Sequence, residues 1–394
     1  MMIIYFWFLL FLLYLYPFVF YPLILYVLIW FKMRFFGIQN NMDELDYKIK
    51  LDRLKLPSVS LIISAYNEEN VIEEKLFNSI KLRYPKEKLE IIVVSDGSTD
   101  RTDEIVKKFF NKGVTLIRVE GRQGKTACQN IAVEKAKGEI IVFSDANTIY
   151  EEKAIEMLIT PLVLYPDVGC VSGKLTYISK SAIRKEGLYW RYELLLKKME
   201  STLYSGIGVP GAIYALRKTD YVPLKSDLIS DFVEPLEILR LRKKVTKHCG
   251  FAEGYEYEPS KDVKKSLSRK RRIFVRAIRG LLYEKELLNP IKYPAASFEL
   301  ISHKIFRWIA PIIGIFMMIV PLFDIKAMLL IFVAEYVAVL GAIMGNANAL
   351  KKRPNKIAKF IVFLNYFFLL NIADLLGWID LIKGRKYITW RINR

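Results

Sequence analysis

Four short β-branched runs recur in the first half of the chain at intervals of about 25–30 residues. They are Val59–Ser64, Ile91–Ser95, Val114–Val119 and Ile140–Ser144, and helix-like segments follow the first three at Val71–Leu82, Thr102–Phe110 and Lys125–Ala136. Strands separated by helices predict a parallel sheet with right-handed crossovers. Pro57 sits just before the first strand, where it removes no ladder hydrogen bond, and Ser98 or Asp100 can cap the helix after the second. Two of the runs close on a carboxylate: Glu90-Ile-Ile-Val-Val-Ser95 leads into Asp96-Gly-Ser98, and Ile140–Ser144 into Asp145-Ala-Asn147. Open α/β sheets bind ligands outside the carboxyl ends of their strands. A diphosphate with its divalent cation requires hard oxygen ligands at such a place. In a chain that also carries long apolar runs, these carboxylates point to a nucleotide-sugar enzyme working at a membrane.

The apolar runs lie at both ends. Met1 to Trp30 is almost uninterrupted and is followed by Phe31-Lys-Met-Arg34, a span with a basic cytoplasmic flank. A signal peptide fits less well, because the run has no basic start and no small-residue cleavage site follows it. Ile305–Phe323 and Ala327–Gly345 are also span-length, whereas Ile357–Ile379 is a third apolar stretch interrupted by Asn365, Asn371 and Asp374, with Asp380 directly after it. The basic loop Lys351–Lys356 is expected in the cytoplasm. A third clean span would then place the basic tail Lys383–Arg394 outside, so Ile357–Ile379 is expected to be re-entrant or interfacial. The net charge of +19 suits an anionic membrane face and phosphate ligands. No nucleic-acid recognition motif is present. The three cysteines, Cys128, Cys170 and Cys249, form neither a disulfide framework nor a zinc site, as expected of a reduced, cytosolic catalytic part.

Each motif between the spans has a plain reading beside its chemical one. Ser64-Ala-Tyr-Asn-Glu-Glu69 offers an aromatic ring and acids to a planar base, or simply opens a helix. Asp96-Gly-Ser-Thr-Asp100 is a carboxylate on a turn, or a capping turn. Gly121-Arg-Gln-Gly-Lys125 sets two cations on a glycine-bearing loop before a helix, which suits a phosphate, or it is a solvated loop; its spacing is not that of a P-loop. His248 and His303 lack partners at metal-ligand spacing. No Gly-x-Gly-x-x-Gly follows the first strand, which argues against a nicotinamide-binding protein.

Taken in order, Ser64–Glu69, Asp96–Asp100, Gly124-Lys125 and Ser144-Asp-Ala-Asn147, with Ser230-Asp-Phe232 and Arg269-Lys-Arg-Arg272-Ile273 downstream, give the chain its resemblance. It resembles the membrane-bound inverting glycosyltransferases of family 2, in the branch of cellulose, hyaluronan and poly-N-acetylglucosamine synthases. The resemblance implies an α/β fold: a GT-A (Rossmann-like) catalytic domain with N- and C-terminal transmembrane helices. The corresponding division is a transmembrane segment at 1–34, a cytosolic GT-A domain at 50–260, basic interfacial helices at 261–304, a transmembrane or re-entrant region at 305–383 and a basic tail at 384–394. The basic run Lys264–Arg279, with apolar residues at Ile273, Phe274, Ala277 and Ile278, fits a helix lying on anionic lipid.

The resemblance also implies roles. Ala65, Tyr66 and Glu68 line the nucleotide pocket, Asp96 contacts base or ribose, and Lys125 meets the diphosphate. Asp145 takes the first place of the Asp-x-Asp motif that binds donor and metal, Mg2+ or Mn2+. Its third place holds Asn147, a weaker ligand or an Asx turn. Asp231 stands where the family has its general base, with Ser230 replacing the preceding acid; a helix N-cap is the plain alternative. Arg269 and Arg272 match the Gln/Arg-x-x-Arg-Trp element at the diphosphate, with Ile273 in place of Trp. Trp190 and Gly211 fall in acceptor-side segments. The implied partners are a nucleotide-sugar donor (a UDP-sugar), a glycan or lipid-linked acceptor and membrane lipids, with no nucleic acid. The implied activity is inverting transfer to a hydroxyl, building a β-linked polysaccharide. The alternatives are single-sugar transfer to a lipid carrier and a non-enzymatic membrane nucleotide-binding protein. About four spans are few for a polymer channel, so a channel would call for a homo-oligomer or for the long N-terminal run to be a hairpin.

Overall fold

The computed structural model describes residues 2–36, 55–178, 188–257, 263–323 and 356–387. The expected span Ala327–Gly345, most of the loop Lys351–Lys356 and the end of the basic tail lie outside the described residues.

Eight strands form one sheet in the order β3-β2-β1-β4-β7-β6-β8-β5. The strands are β1 Val59–Ala65, β2 Leu89–Asp96, β3 Val114–Val119, β4 Ile140–Asp145, β5 Ile149–Tyr150, β6 Val168–Ile178, β7 Ile213–Arg217 and β8 Val245–Tyr257. The first four are parallel, as the spacing predicts. Beyond them the sheet is mixed: β7 runs antiparallel to both β4 and β6. Alternate residues of the central strands face two apolar layers. Leu61, Ile63, Val93 and Val142 pack with helices Ile72–Lys81 and Ala154–Leu164. Ile62, Val94, Ile141 and Phe143 pack on the other face with helix Lys125–Lys135. A strand covered on both faces reads as a continuous hydrophobic run, which is why β1, β2 and β4 are so apolar.

β1 lies between β2 and β4, and the chain changes direction of winding there. Register pairs Ala65 with Ser95 and Ser64 with Asp145, so the carboxyl ends of three strands open onto one crevice. That is the topological switch point at which open sheets bind ligands.

Among the described residues two helices are long and apolar enough to cross a membrane, Met2–Phe36 and Pro294–Phe323. The first spans 35 residues, about 50 Å at 1.5 Å per residue, more than a bilayer core of about 30 Å requires. Its two halves differ in what they touch. Met2–Leu15 packs along Phe306–Ile319, with the Trp7 indole donating to the Met317 carbonyl at 3.1 Å. Tyr21–Phe36 docks on helix Leu188–Leu203 through buried Tyr21 and Leu25. Between them a π-helical turn, Tyr16–Phe20, contains Pro17, and the Tyr192 hydroxyl donates to the carbonyls of Pro17 and Phe18.

Ile357–Ile379, expected to be re-entrant or interfacial, belongs to one continuous helix, Lys356–Ile382, lying along helix Val263–Tyr283. Its polar interruption at Asp380 is satisfied within the protein, by Arg271, Arg385 and Tyr387. Helix Val263–Tyr283 itself turns Phe274, Ala277 and Ile278 onto the protein, against Trp308, Trp378 and the helix Ser230–Glu237. Of the apolar residues expected to rest on lipid, Ile273 is exposed.

Candidate active site

The loops after β1 and β2 are joined by a network of hydrogen bonds. Asn67 takes a left-handed conformation, φ 51°, which brings its amide to Ser98 Oγ at 3.1 Å and its Oδ1 to the Thr99 N–H at 2.7 Å. The Glu68 N–H donates to Thr102 Oγ1 and the Glu69 N–H to Asp100. Asp100 also accepts from the Thr102 N–H, so it is Asp100 that caps the following helix. Ser98 serves the β1 loop instead. Gly97 is required here, because a Cβ at its φ of 66° would meet the Gly121 carbonyl oxygen at 2.5 Å.

Asp96 is fully buried, and its carboxylate accepts from the N–H groups of Gln123 at 2.7 Å and Gly124 at 3.2 Å. It anchors the glycine loop and the start of helix Lys125–Lys135, a natural place for negative charge. Expected to contact base or ribose, Asp96 instead faces that loop. Ala65 is likewise buried, leaving Tyr66 and Glu68 half-exposed beside the crevice. The Arg122 guanidinium lies 3.7 Å over the Tyr66 ring.

Lys125 extends from the helix start to Asp145 at the end of β4, pairs with its carboxylate, and donates to the Gly211 carbonyl at 3.0 Å. Burial disfavours the ammonium, but Asp145 and Asp231 outweigh it and raise its pKa. Asn147 occupies the turn after Asp145, and its side chain makes no hydrogen bond with any described residue, so no Asx-turn bond forms. Beneath this turn Lys75 is fully buried, donating to the Thr148 carbonyl at 2.6 Å and lying 3.9 Å over the Tyr150 ring. Burial lowers its pKa to about 7, against the pull of Asp145 and Glu256.

Asp231 is the second residue of helix Ser230–Glu237. Its carboxylate makes no cap bond and no hydrogen bond to any described residue. Gly211 fits between it and Lys125: a Cβ there would lie 2.7 Å from Asp231 Oδ2 and 3.1 Å from Lys125 Nζ. Lys125, Asp145, Gly211 and Asp231 are thus together. Burial raises the Asp231 pKa, Lys125 and Arg276 oppose that, and Asp145 reinforces it.

Arg269 reaches toward Glu256, Asp145 and Tyr177, whose charges raise its pKa against burial. Arg272, one turn along the same helix, makes no hydrogen bond or ion pair with a described residue. Its pKa falls to about 10 through burial and through Arg276, Arg269 and Arg122. Trp190 packs edge-on against Tyr177 at 5.2 Å and donates to the Leu175 carbonyl, a packed position and not an open platform.

Sequence reasoning did not single out Glu256, Lys75, Glu234 or Arg276. Glu256 is buried, accepts from Thr148 Oγ1 at 2.6 Å, and has its pKa raised by burial and by Asp145. It comes to the site through pairing at the far end of the sheet, which no local pattern announces. His248 and His303 are held by protein partners, Ser172 Oγ at 3.4 Å and Glu200 Oε1 at 2.5 Å.

Residues 60–222 match the family model described as Glycosyl transferase family 2. This is a family 2 glycosyltransferase domain. It is 38% identical over 130 residues to a probable glycosyltransferase, YdaM, of Bacillus subtilis (strain 168), covering 32% of this chain and 31% of that protein. It is 28% identical over 171 residues to the poly-beta-1,6-N-acetyl-D-glucosamine synthase of Staphylococcus aureus (strain MSSA476), 43% of this chain and 41% of that one. The chain therefore spans about a third to two-fifths of the length of these curated relatives. In fold, 96% of it superposes on 98% of the mannosyltransferase PcManGT from Pyrobaculum calidifontis, solved with GDP-Man and Mn2+, at a TM-score of 0.66 and 20% identity. The family 2 domain has the expected GT-A type of α/β fold, with apolar helices before and after it.

The fit of this domain to a divalent cation rests on its oxygen donors. Among the described residues no three acidic, histidine or cysteine side chains converge as a metal cage. Asp145 and Asn147 nevertheless place a reachable carboxylate and an unbonded amide oxygen two residues apart on one turn. Such a pair suits a hard cation that draws its other ligands from phosphate and water.

Proposed function

We propose that the chain transfers a sugar, with inversion, from a nucleoside-diphosphate donor to a hydroxyl acceptor at the membrane, and that it elongates a β-linked glycan. The observation that carries this reading is the Asp231 carboxylate, which has no hydrogen bond to any described residue and lies across Gly211 from the Lys125–Asp145 pair. A base needs that freedom, and a cation beside it offers a place for a leaving diphosphate.

In this reading Tyr66 and Glu68 hold the nucleotide at the end of β1, and Asp96 holds the loop that presents Lys125. Asp145 and Asn147 hold a divalent cation, Mg2+ or Mn2+, which when bound offsets the charge growing on the departing diphosphate. Lys125 and Arg272 supply the remaining positive charge, and Arg272 lies among the cations Arg276, Arg269 and Arg122, which an arriving anion would offset. Asp231 accepts the acceptor's hydroxyl proton as that oxygen bonds to the anomeric carbon and the bond from that carbon to the diphosphate oxygen breaks on the opposite face. One displacement inverts the centre, with no covalent intermediate. The apolar helices Met2–Phe36 and Pro294–Phe323 keep the site beside the bilayer, with the catalytic domain in the cytosol.

The test is to present the purified full chain, in lipid nanodiscs, with a panel of radiolabelled UDP- and GDP-sugars and to size the products. Polymer growth is expected, abolished by a chelator and restored by Mn2+ or Mg2+. A product of one sugar on lipid would replace elongation by single transfer. No turnover of any donor would defeat the enzymatic reading.

A further inference from the structure

Arg276 is 7% exposed, four residues beyond Arg272 on helix Val263–Tyr283. Burying a guanidinium is costly unless it is paired and fully hydrogen-bonded. Arg276 makes no ion pair with a described residue, and its Nε has no hydrogen-bond partner among them. Its Nη2 donates to the carbonyl of Leu228 and lies 3.4 Å from Thr126 Oγ1. That hydroxyl donates to the same Leu228 carbonyl, at 2.8 Å. One carbonyl oxygen therefore receives two donors from two different helices.

The location gives this knot its meaning. Leu228 is two residues before helix Ser230–Glu237, which carries Asp231, and Thr126 follows Lys125 in the first turn of its helix. The helix bearing Arg276 is itself fixed. Arg271 pairs with buried Asp380 of the C-terminal helix, and Gly280 backs so closely on Val233 that a Cβ would approach its side chain to 2.7 Å. A methionine or leucine would fill the space of Arg276 without the desolvation cost. What the guanidinium adds is a rigid, directional link between the start of the Asp231 helix and the start of the Lys125 helix.

We propose that Arg276 is a positioning residue for transfer: through Leu228 and Thr126 it sets the separation of the Asp231 carboxylate from Lys125, and so the line of approach of the acceptor to the sugar. This rests on the proposed role of Asp231.

The experiment compares kcat and donor KM, using the nucleotide sugar the full chain turns over fastest, for Arg276→Met, Arg276→Lys, Thr126→Val and the pair Arg276→Met with Thr126→Val. Arg276→Met is expected to lower kcat by roughly 20–100-fold with donor KM within about twofold, because misplacing a reacting group by an ångström costs about that much. Arg276→Lys, which can still reach a carbonyl, recovers part of the rate. The pair falls short of the product of the single effects, since both donors converge on one oxygen. Wild-type kcat in Arg276→Met overturns the proposal, and so does a KM that rises as kcat falls, which would put Arg276 on the donor. If Arg276→Met does not fold, Thr126→Val decides: a several-fold loss of kcat at constant KM supports the link, and wild-type kcat overturns it. Asp231→Asn separates the two readings. An inactive Asp231→Asn beside a fully active Arg276→Met sinks the arginine's role alone, whereas full turnover in Asp231→Asn removes the base and with it anything Arg276 could position.

Discussion

On the side of the crevice built by β1 and β2, the two loops bond most of their polar groups to one another. Asn67, Glu69, Asp100 and Thr102 bond to one another across the two loops, and Asp96 is enclosed by the amides of Gln123 and Gly124. On the side built by β4 and helix Ser230–Glu237, the reverse holds. The side chains of Asp231, Asn147 and Arg272 make no hydrogen bond to a described residue, and Lys125 pairs with a half-exposed Asp145. A network with every member bonded is a scaffold; groups left unbonded in a cleft have been kept for something that arrives. The first side should therefore respond to substitution through stability, and the second through chemistry.

The largest effect expected is at Asp231. Asp231→Asn keeps size and most hydrogen-bonding capacity while removing basicity, so turnover should fall by roughly 100-fold or more with donor affinity retained. An N-cap would show the opposite, since Asn caps as well as Asp. Near-normal turnover, measured alongside donor binding, would take Asp231 out of the mechanism and break the contrast between the two sides.

Gly211→Ala probes the same contact from the backbone. The new methyl would meet Asp231 Oδ2 and Lys125 Nζ, both ends of movable side chains, so the fold should survive while the two groups are pushed aside. A loss of about tenfold in kcat with little change in thermal midpoint is expected, in keeping with the sensitivity of transfer to placement. A fall in stability without a matching fall in kcat would mean that this glycine serves packing.

Asn147→Asp should act more gently. A second carboxylate on the turn adds a charged ligand, so the Mn2+ concentration giving half activity should drop several-fold while maximal rate changes little. Unaltered metal dependence would show that residue 147 is not a ligand.

The scaffold side was far more legible in the sequence than the reactive side, for a physical reason. β1, β2 and β4 are buried on both faces and read as near-continuous apolar runs, and their ends announce Ala65, Asp96 and Asp145 directly. Asp231 could be located only through resemblance, because a single acid at a helix start looks like a cap. Glu256 and Arg276 were invisible. The first depends on β8 pairing with β6 and β5, whose alternating, partly polar sequences carry a weak signal. The second lies in a basic run whose half-buried members disguise one buried arginine. A carboxylate at a strand end faces a ligand or its own loop according to where the next glycines fold, and the Asp96 carboxylate accepts from the loop at Gln123 and Gly124.

Glu234 tests whether a buried acid one turn from Asp231 belongs with the scaffold or with the reacting groups. It is 1% exposed; the Tyr214 hydroxyl donates to its Oε2 at 2.8 Å, and its Oε1 has no partner among the described residues. Burial lifts its pKa to about 8, the Tyr214 hydrogen bond opposing and Asp231 reinforcing the shift. A carboxyl whose folded pKa lies above its unfolded value near 4.5 binds more protons in the folded state between those limits. Its contribution to stability is therefore present at low pH, falls as pH rises through the window from 4.5 to about 8, and levels off above it. Glu234→Gln keeps the shape and an acceptor for Tyr214 but no longer titrates. Relative to the native chain it should gain roughly 3 kcal/mol in stability between pH 5 and pH 8, with turnover within about fivefold. A stability difference that does not change with pH would mean that Glu234 does not titrate in this window. A loss of turnover as deep as that of Asp231→Asn would instead move the proton-accepting role one turn along the helix, and with it the boundary between the two sides of the site.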